Sequence, residues 1–226
     1  MIKTVLIDID GTLLDFDKCA KASIESTFKD FNIDYPEDFY STFKRINDEL
    51  WLRLEKNEIT FKNLHDTRFN LVLKALNINF DGLTFEIRFR EYLSKSTEHV
   101  EGAEDLLKYL KQKNYYVAAA SNGPFEQQKN RIKLAGLSDY IDDYFISSKV
   151  GAEKPSPLFF NHCLENLPIN NKEEVIMIGD SLTADISGGN DAKIKTCWLN
   201  LKNAPLKNGA TPDFIVKSLK EIKNLL

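Results

Sequence analysis

The apolar positions of the chain change rhythm twice. Between about residues 17 and 97 they recur every three or four positions, as in FYSTFKRINDELWLRLEKN and FKNLHDTRFNLVLKAL, the spacing of a single buried helix face. Pro36 and Thr60 stand near the starts of two such helices, and no good strand interrupts the block. Outside it, short apolar runs are separated by amphipathic stretches. TVLID (4–8), YYVAAAS (115–121), YFISS (144–148), EVIMIG (174–179), KTCWLN (195–200) and DFIVK (213–217) read as buried strands. Strands that are apolar on both faces suit a parallel sheet covered by helices on each side, and crossovers of this length suit a right-handed, doubly wound α/β topology. The predicted core is therefore residues 1–15 plus 98–226, with an all-helical segment, 16–97, inserted after the first strand. An insertion at that point is expected above the carboxyl edge of the sheet, where open parallel sheets bind ligands. It reads as a lid or cap, the alternative being a module of structural value only.

Polar residues gather where these strands end. Asp8 and Asp10 follow the first, Ser121 and Asn122 with Gly123 follow YYVAAA, Lys154 lies in VGAEKPSP after YFISS, and Asp180 with Asp185 follows VIMIG. Adjacent strands would bring all of them to one crevice. Two carboxylates about 4 Å apart repel by roughly 4 kcal/mol at an effective dielectric of 20, so the set needs a cation or a shared proton. Asp8, Asp10 and Asp180 together make a hard oxygen site of the kind Mg²⁺ prefers, with waters and a substrate phosphate completing the octahedron. Lys154 adds a further positive charge.

The chemistry open to such a group is specific. A free Asp titrates near ~3.9, so Asp8 is ionised at neutral pH and can attack phosphorus without a base to activate it. Asp10, beside that charge, keeps a proton more readily; it can donate it to the leaving oxygen and then take one from the water that cleaves the intermediate. Gly11 permits a sharp turn after the pair, and Thr12 can hydrogen-bond locally to hold it. Ser121 offers a hydroxyl to a nonbridging phosphoryl oxygen. Pro124 is expected at the first helical position of a helix that stops at Gly136 and points free N–H groups at the anion. Ser156 and Pro157 cap and begin another helix just after Lys154. Taken singly, each is also an ordinary turn former, loop residue or solvated lysine. The ordered set DIDGT, SNG, KP and GDSLTAD, each behind an apolar strand, is hard to obtain by accident.

Composition narrows the partners. With 30 Lys and Arg against 34 Asp and Glu, the net charge of -4 gives no footprint for a nucleic-acid polymer. No apolar stretch approaches the roughly 20 residues of a spanning helix, and the N-terminus lacks a signal-peptide core, so a cytoplasmic protein without a membrane role is expected. Cys19, Cys163 and Cys197 are odd in number and widely spaced, and read as reduced, mostly buried thiols. His65, His99 and His162 show no metal-ligand spacing.

On the motifs DIDGT, SNG, GAEKPSP and GDSLTAD the chain resembles the haloacid dehalogenase superfamily, in its phosphatase branch with a helical cap. The resemblance covers nearly the whole chain. It implies a Rossmann-like core, dependence on Mg²⁺ and hydrolysis of a small-molecule phosphomonoester by a monomer or homodimer. It further implies that Asp8, the backbone carbonyl of Asp10 and Asp180 hold the metal, that Ser121, Asn122 and Lys154 bind phosphate, and that Asp185 supports the metal or orients Lys154. A narrower similarity, to bacterial pyrimidine nucleoside 5′-monophosphate phosphatases of the house-cleaning type, rests on NDELW, ITFKNLHDTRF and SGGNDAKIKTCWLN. Through it, Asn47, Trp51 and Arg68 are candidates to reach a base or sugar from the cap, although Trp51, at helical spacing with Leu50 and Leu54, equally suits core packing. Gly11 brings the first motif closer to the generic phosphatase form and does not itself favour nucleotides. Competing readings are a phosphatase or phosphomutase acting on sugar phosphates, a dehalogenase, for which Asp10 would be superfluous, and a non-catalytic binding module.

Overall fold

Thr4–Ile7 form β1, all four residues buried, and both edges of this strand carry a parallel neighbour. Thr4 pairs with Tyr116 on one side and with Val175 on the other. In the computed structural model, which describes residues 1–206 and 209–226, the other strands are β2 (Tyr116–Ser121), β3 (Asp143–Ile146), β4 (Val175–Gly179), β5 (Lys195–Leu199) and β6 (Phe214–Val216). Their spatial order is β3-β2-β1-β4-β5-β6, with every neighbouring pair parallel. This is the doubly wound, Rossmann-like α/β sheet that the apolar runs predict. One boundary differs: Ser147 and Ser148, expected to prolong β3, begin a short helical turn.

The chain divides into two compact units, Met1–Phe16 with Thr97–Leu226, and Asp17–Ser96. The second is built from α1 (Phe16–Phe31), α2 (Phe39–Glu55), α3 (Phe61–Ala75) and α4 (Gly82–Leu93). Its interior is aromatic. Phe28, Phe39, Phe43, Phe69, Phe85 and Phe89 are buried, with ring centroids 4.6 Å apart for Phe28 and Phe39 and again for Phe69 and Phe85. Each such ring contributes roughly 1.5–3 kcal/mol by leaving water. Thr60 starts α3 as expected, through a capping box in which its side chain accepts from the Asn63 N–H while Asn63 bonds back to the Thr60 N–H. Pro36 lies ahead of α2, whose cap is Asp38.

In the first unit the sheet is covered on both faces by α5 (Ala103–Gln112), α6 (Phe125–Leu134), α7 (Ser147–Val150), α8 (Pro157–Asn166), α9 (Gly188–Ala192) and α10 (Leu219–Ile222). Side chains alternate along a strand, so Val5 and Ile7 pack with Leu106, Leu110, Ile132 and Ile222, while Leu6 packs with Phe159, Phe160 and Cys163. Because all strands run the same way, their carboxyl ends share one edge. A turn of π-helix, Leu182–Ser187, follows β4 at that edge. Cys19, Cys163 and Cys197 are buried, and no disulfide joins them. Among the described residues no helix is long and apolar enough to cross a membrane.

Candidate active site

A lysine without access to water organises the carboxyl edge of the sheet. Lys154, only 2% exposed, donates from Nζ to Asp8 Oδ1 at 2.7 Å, to Asp185 Oδ1 at 2.7 Å and to the Ala120 carbonyl at 2.6 Å. An ammonium has three protons, and each has an acceptor. Burial alone would lower the basicity of this lysine, but the charges of Asp185 and Asp8 outweigh it and hold the group above the usual lysine range. Its backbone is fixed too. Lys154 N–H donates to Asn122 Oδ1 at 2.7 Å, and Asn122 Nδ2 donates to the Lys154 carbonyl at 2.9 Å. The phosphate contact expected of the Asn122 side chain thus gives way to an anchoring of the lysine loop. Ser156 and Pro157 cap and begin α8 as the sequence predicts.

Asp8, Asp180 and Asp185 place one carboxylate oxygen each within 4.8 Å of one another. Asp185 is already committed: besides Lys154 it accepts from the Ser181 N–H through Oδ2 at 3.1 Å. Among the described residues, no donor reaches the Asp180 carboxylate or Asp8 Oδ2. Burial, then the charge of Asp185 and that of Asp10, push the Asp8 carboxyl up to about 7 against the pull of Lys154, so that, contrary to the expectation from sequence, Asp8 without a cation is not fully ionised at neutral pH. Asp180 has an exposed outer edge, yet protein crowds its carboxyl, and that desolvation, followed by the charges of Asp8 and Asp185, holds it well above the ordinary range. Three carboxylates thus face one ammonium in contact. An all-oxygen set short of positive charge, with uncommitted oxygens on Asp8 and Asp180, fits a hard divalent cation.

Gly11 makes this crowding possible. Its φ is +87°, and a Cβ there would lie 2.4 Å from Asp180 Oδ2. Gly11→Ala is therefore expected to displace Asp180 and weaken divalent-cation binding by at least about tenfold, in line with the effect of disturbing groups that orient a metal site; isothermal titration with Mg²⁺ measures it, and an unchanged affinity contradicts the placement. The turn itself is held by backbone, with Gly11 N–H donating to the Leu14 carbonyl at 2.7 Å and Leu13 N–H to that of Ile9 at 2.9 Å. The local bond expected of Thr12 does not form: its hydroxyl is buried without a hydrogen-bond partner.

Asp10 points elsewhere than its neighbour. Its Oδ1 accepts from Arg131 Nη1 at 2.6 Å and its Oδ2 from Gln128 Nε2 at 2.6 Å. Donors, in place of the adjacent carboxylate inferred from sequence, are the closest company of this side chain. Ser121 Oγ accepts from Gln128 Nε2 at 2.8 Å and from the Gly123 N–H at 3.2 Å. With both lone pairs engaged, the hydroxyl proton is what Ser121 has to offer, which suits a phosphoryl oxygen. Pro124 precedes α6 as its cap, one position earlier than predicted, and the Phe125 N–H is taken by Ser148 Oγ at 2.9 Å, so this N–H is not free for an anion.

Sequence reasoning missed three participants. Gln128 and Arg131 lie one turn apart on α6, where a buried polar pair is invisible among the exposed polar residues of FEQQKNRIKL. Trp198, at the end of β5, donates from Nε1 to the Asp180 carbonyl at 2.9 Å. In the helical unit, Arg68 and Asn47 are both buried. Arg68 donates through Nε and Nη2 to Glu86 at 3.0 and 2.7 Å and through Nη1 to Asn47 Oδ1 at 2.9 Å. His65 Nδ1 lies 2.6 Å from the same Glu86, and burial holds that imidazole below its ordinary range. Trp51 is half-buried, edge-on to Phe61 with ring centroids 5.9 Å apart.

Known proteins resemble this chain along nearly its whole length. Over 224 residues the chain is 33% identical to the HAD-hydrolase YfnB of Bacillus subtilis, covering 99% of this chain and 95% of that protein. Over the same number of residues it is 33% identical to the pyrimidine 5′-nucleotidase PynA of Streptococcus pneumoniae, covering 99% and 94%. It is 29% identical over 222 residues to the pyrimidine 5′-nucleotidase YjjG of Escherichia coli, covering 98% and 96%. A crystal structure of YfnB bound to magnesium superimposes with a TM-score of 0.94, covering 100% of this chain and 98% of that one. The sequence profile of haloacid dehalogenase-like hydrolases matches residues 2–193, and with that match and relatives one-third identical along its length, this chain belongs to that hydrolase family.

Proposed function

We propose that this protein is a Mg²⁺-dependent phosphomonoester hydrolase that acts through an aspartyl phosphate on Asp8, with nucleoside 5′-monophosphates, pyrimidines favoured, as its substrates. The observation that carries this reading is Asp8 itself: a buried carboxylate with one oxygen held by Lys154 and the other uncommitted, beside an open Asp180. An oxygen of Asp8 bonds to phosphorus as the bond to the leaving oxygen breaks, and a proton from Asp10 goes to that oxygen. Water then bonds to phosphorus and gives its proton to Asp10, while the bond to Asp8 breaks to release phosphate and restore the carboxylate. The Ser121 hydroxyl donates to a phosphoryl oxygen, while Lys154, its three protons taken by Asp8, Asp185 and the Ala120 carbonyl, contributes its charge from beside Asp8 instead of the direct phosphate contact expected from sequence, and Asp185 keeps it in line. Asp8, the Asp10 carbonyl and Asp180 would hold Mg²⁺, which would supply positive charge against that of a phosphate dianion among the acids.

The helical unit is proposed as the cap that selects the substrate. Its support is the identity with PynA and YjjG along nearly the whole chain and the state of Asn47. That buried amide accepts from Arg68 through its Oδ1, which leaves its N–H₂ as the group able to donate, four residues before Trp51 on α2. A donor next to an indole suits a pyrimidine carbonyl and its ring.

Phosphate release from uridine, cytidine and thymidine monophosphates, purine monophosphates and sugar phosphates tests the reading. Release is expected to require Mg²⁺, to stop with a chelator, and to favour pyrimidine nucleotides over sugar phosphates by at least about tenfold in kcat/KM, roughly 1.4 kcal/mol of discrimination. A preference for sugar phosphates would replace the nucleotide assignment, and a requirement for a bisphosphate would indicate a mutase.

A further inference from the structure

Arg131 and Gln128 are wholly buried, although an arginine and a glutamine away from water are unfavourable unless their hydrogen bonds are met. Here the bonds of the Gln128 amide and of Arg131 Nη1 converge on two groups of the candidate site. Gln128 gives one amide hydrogen to Asp10 Oδ2 at 2.6 Å and the other to Ser121 Oγ at 2.8 Å, while its Oε1 accepts from Arg131 Nη1 at 3.1 Å. Arg131 Nη1 also donates to Asp10 Oδ1 at 2.6 Å. Both oxygens of Asp10 are therefore held from α6. The same glutamine fixes Ser121, and the guanidinium fixes which way the glutamine amide faces.

We propose that Gln128 and Arg131 are positioning residues that set Asp10 and Ser121 in one shared orientation, so that the proton for the leaving oxygen and the hydroxyl that grips the phosphoryl group are aimed by a single pair of side chains. This rests on the reading of Asp10 as acid and base. Neither residue touches the reacting atoms; each acts through the two that do. The consequence lies in the leaving group. An alkoxide such as the ribose 5′-oxygen leaves poorly without a proton, whereas p-nitrophenolate leaves well unaided, so a misaimed Asp10 hurts the first reaction far more than the second.

The test compares kcat on uridine monophosphate and on p-nitrophenyl phosphate for the wild-type protein and for Asp10→Asn, Gln128→Leu and Arg131→Lys. Asp10→Asn sets the full size of the effect, expected at about 10²–10⁴-fold on the nucleotide. Gln128→Leu and Arg131→Lys are expected to lose about 30-fold or more on the nucleotide and several-fold less on p-nitrophenyl phosphate, with unchanged far-ultraviolet circular dichroism. Equal losses on both substrates in a folded variant would overturn the proposal, because a merely structural defect does not distinguish leaving groups. If Gln128→Leu does not fold, Arg131→Lys, which keeps the charge and loses the planar fork, decides by the same ratio. An Asp10→Asn protein that shows no leaving-group dependence, or a wild type without turnover, would instead bring down the acid–base reading and the proposal with it.

Discussion

Asp8→Asn abolishes turnover and, in the absence of metal, raises the melting temperature above pH 7. The first effect follows from chemistry: an amide is a poor nucleophile, and removing a covalent nucleophile costs on the order of 10⁴–10⁶ in kcat. The second follows from linkage. Burial chiefly, then repulsion from Asp185 and Asp10, lifts the folded-state pKa of Asp8 from 3.8 to about 7 despite Lys154. A carboxyl shifted upward contributes fully to stability below its unfolded pKa, and that contribution is lost as pH rises through the folded value. The metal-free wild type should therefore lose stability between about pH 4 and pH 7, with Asp180, raised by its own desolvation and by Asp8, steepening the slope. Asparagine resembles the protonated acid and carries no such penalty. Thermal melts in chelator at pH 5 and pH 8 check this: the variant's advantage should appear at pH 8 and shrink at pH 5. Residual activity of a few per cent, or an advantage that grows as pH falls, contradicts the role or the electrostatics respectively.

Lys154→Met moves stability the opposite way. The ammonium occupies the centre of three acceptors, and methionine matches its length while supplying no donor. Asp8, Asp180 and Asp185 are then left facing one another without the cation between them, and removing one partner of a buried ion pair costs about 3–5 kcal/mol. The loss should be largest at pH 8 and smaller at pH 5, where the remaining acids take up protons. Loss of a charge that stabilises a phosphoryl group adds a fall in kcat/KM of about 10³-fold. Parallel melts and steady-state kinetics measure both. Lys154→Arg should not rescue, because a planar fork cannot reproduce three convergent bonds from one atom. A Lys154→Met protein with wild-type kinetics would remove this lysine from the chemistry.

Much of the fold was legible because parallel strands bury both faces and so announce themselves as unbroken apolar runs. All six strands lie where such runs stand, and the departure at Ser147 and Ser148 reflects small polar residues that serve a helical turn as readily as a strand. The order of acids and lysine behind those strands was legible for the same reason: a parallel sheet puts every strand's exit on one edge. What stayed hidden is how each polar group is used. Asn122 reads as a phosphate ligand but spends its side chain on the Lys154 backbone. Thr12 reads as a turn former but leaves its hydroxyl unbonded. Arg68 reads as a hand reaching from the helical unit, yet each of its three nitrogens is engaged by Glu86 or Asn47. Such assignments depend on distances between residues far apart in the chain, which spacing in one sequence does not encode.

The place of β1 in the sheet also sets the order in which the protein comes to life. The strand that carries Asp8 precedes both of its sheet neighbours in the chain, which begin only at Tyr116 and Val175. Contacts near in sequence form faster than distant ones, so the phenylalanine-packed helices between can close while β1 still waits for partners. A nascent chain that has not reached Val175 holds Asp8 and lacks Asp180 and Asp185 altogether. The acidic cluster is thus incomplete during synthesis until Asp185 has been added, and recovery of activity in refolding should trail the return of helix.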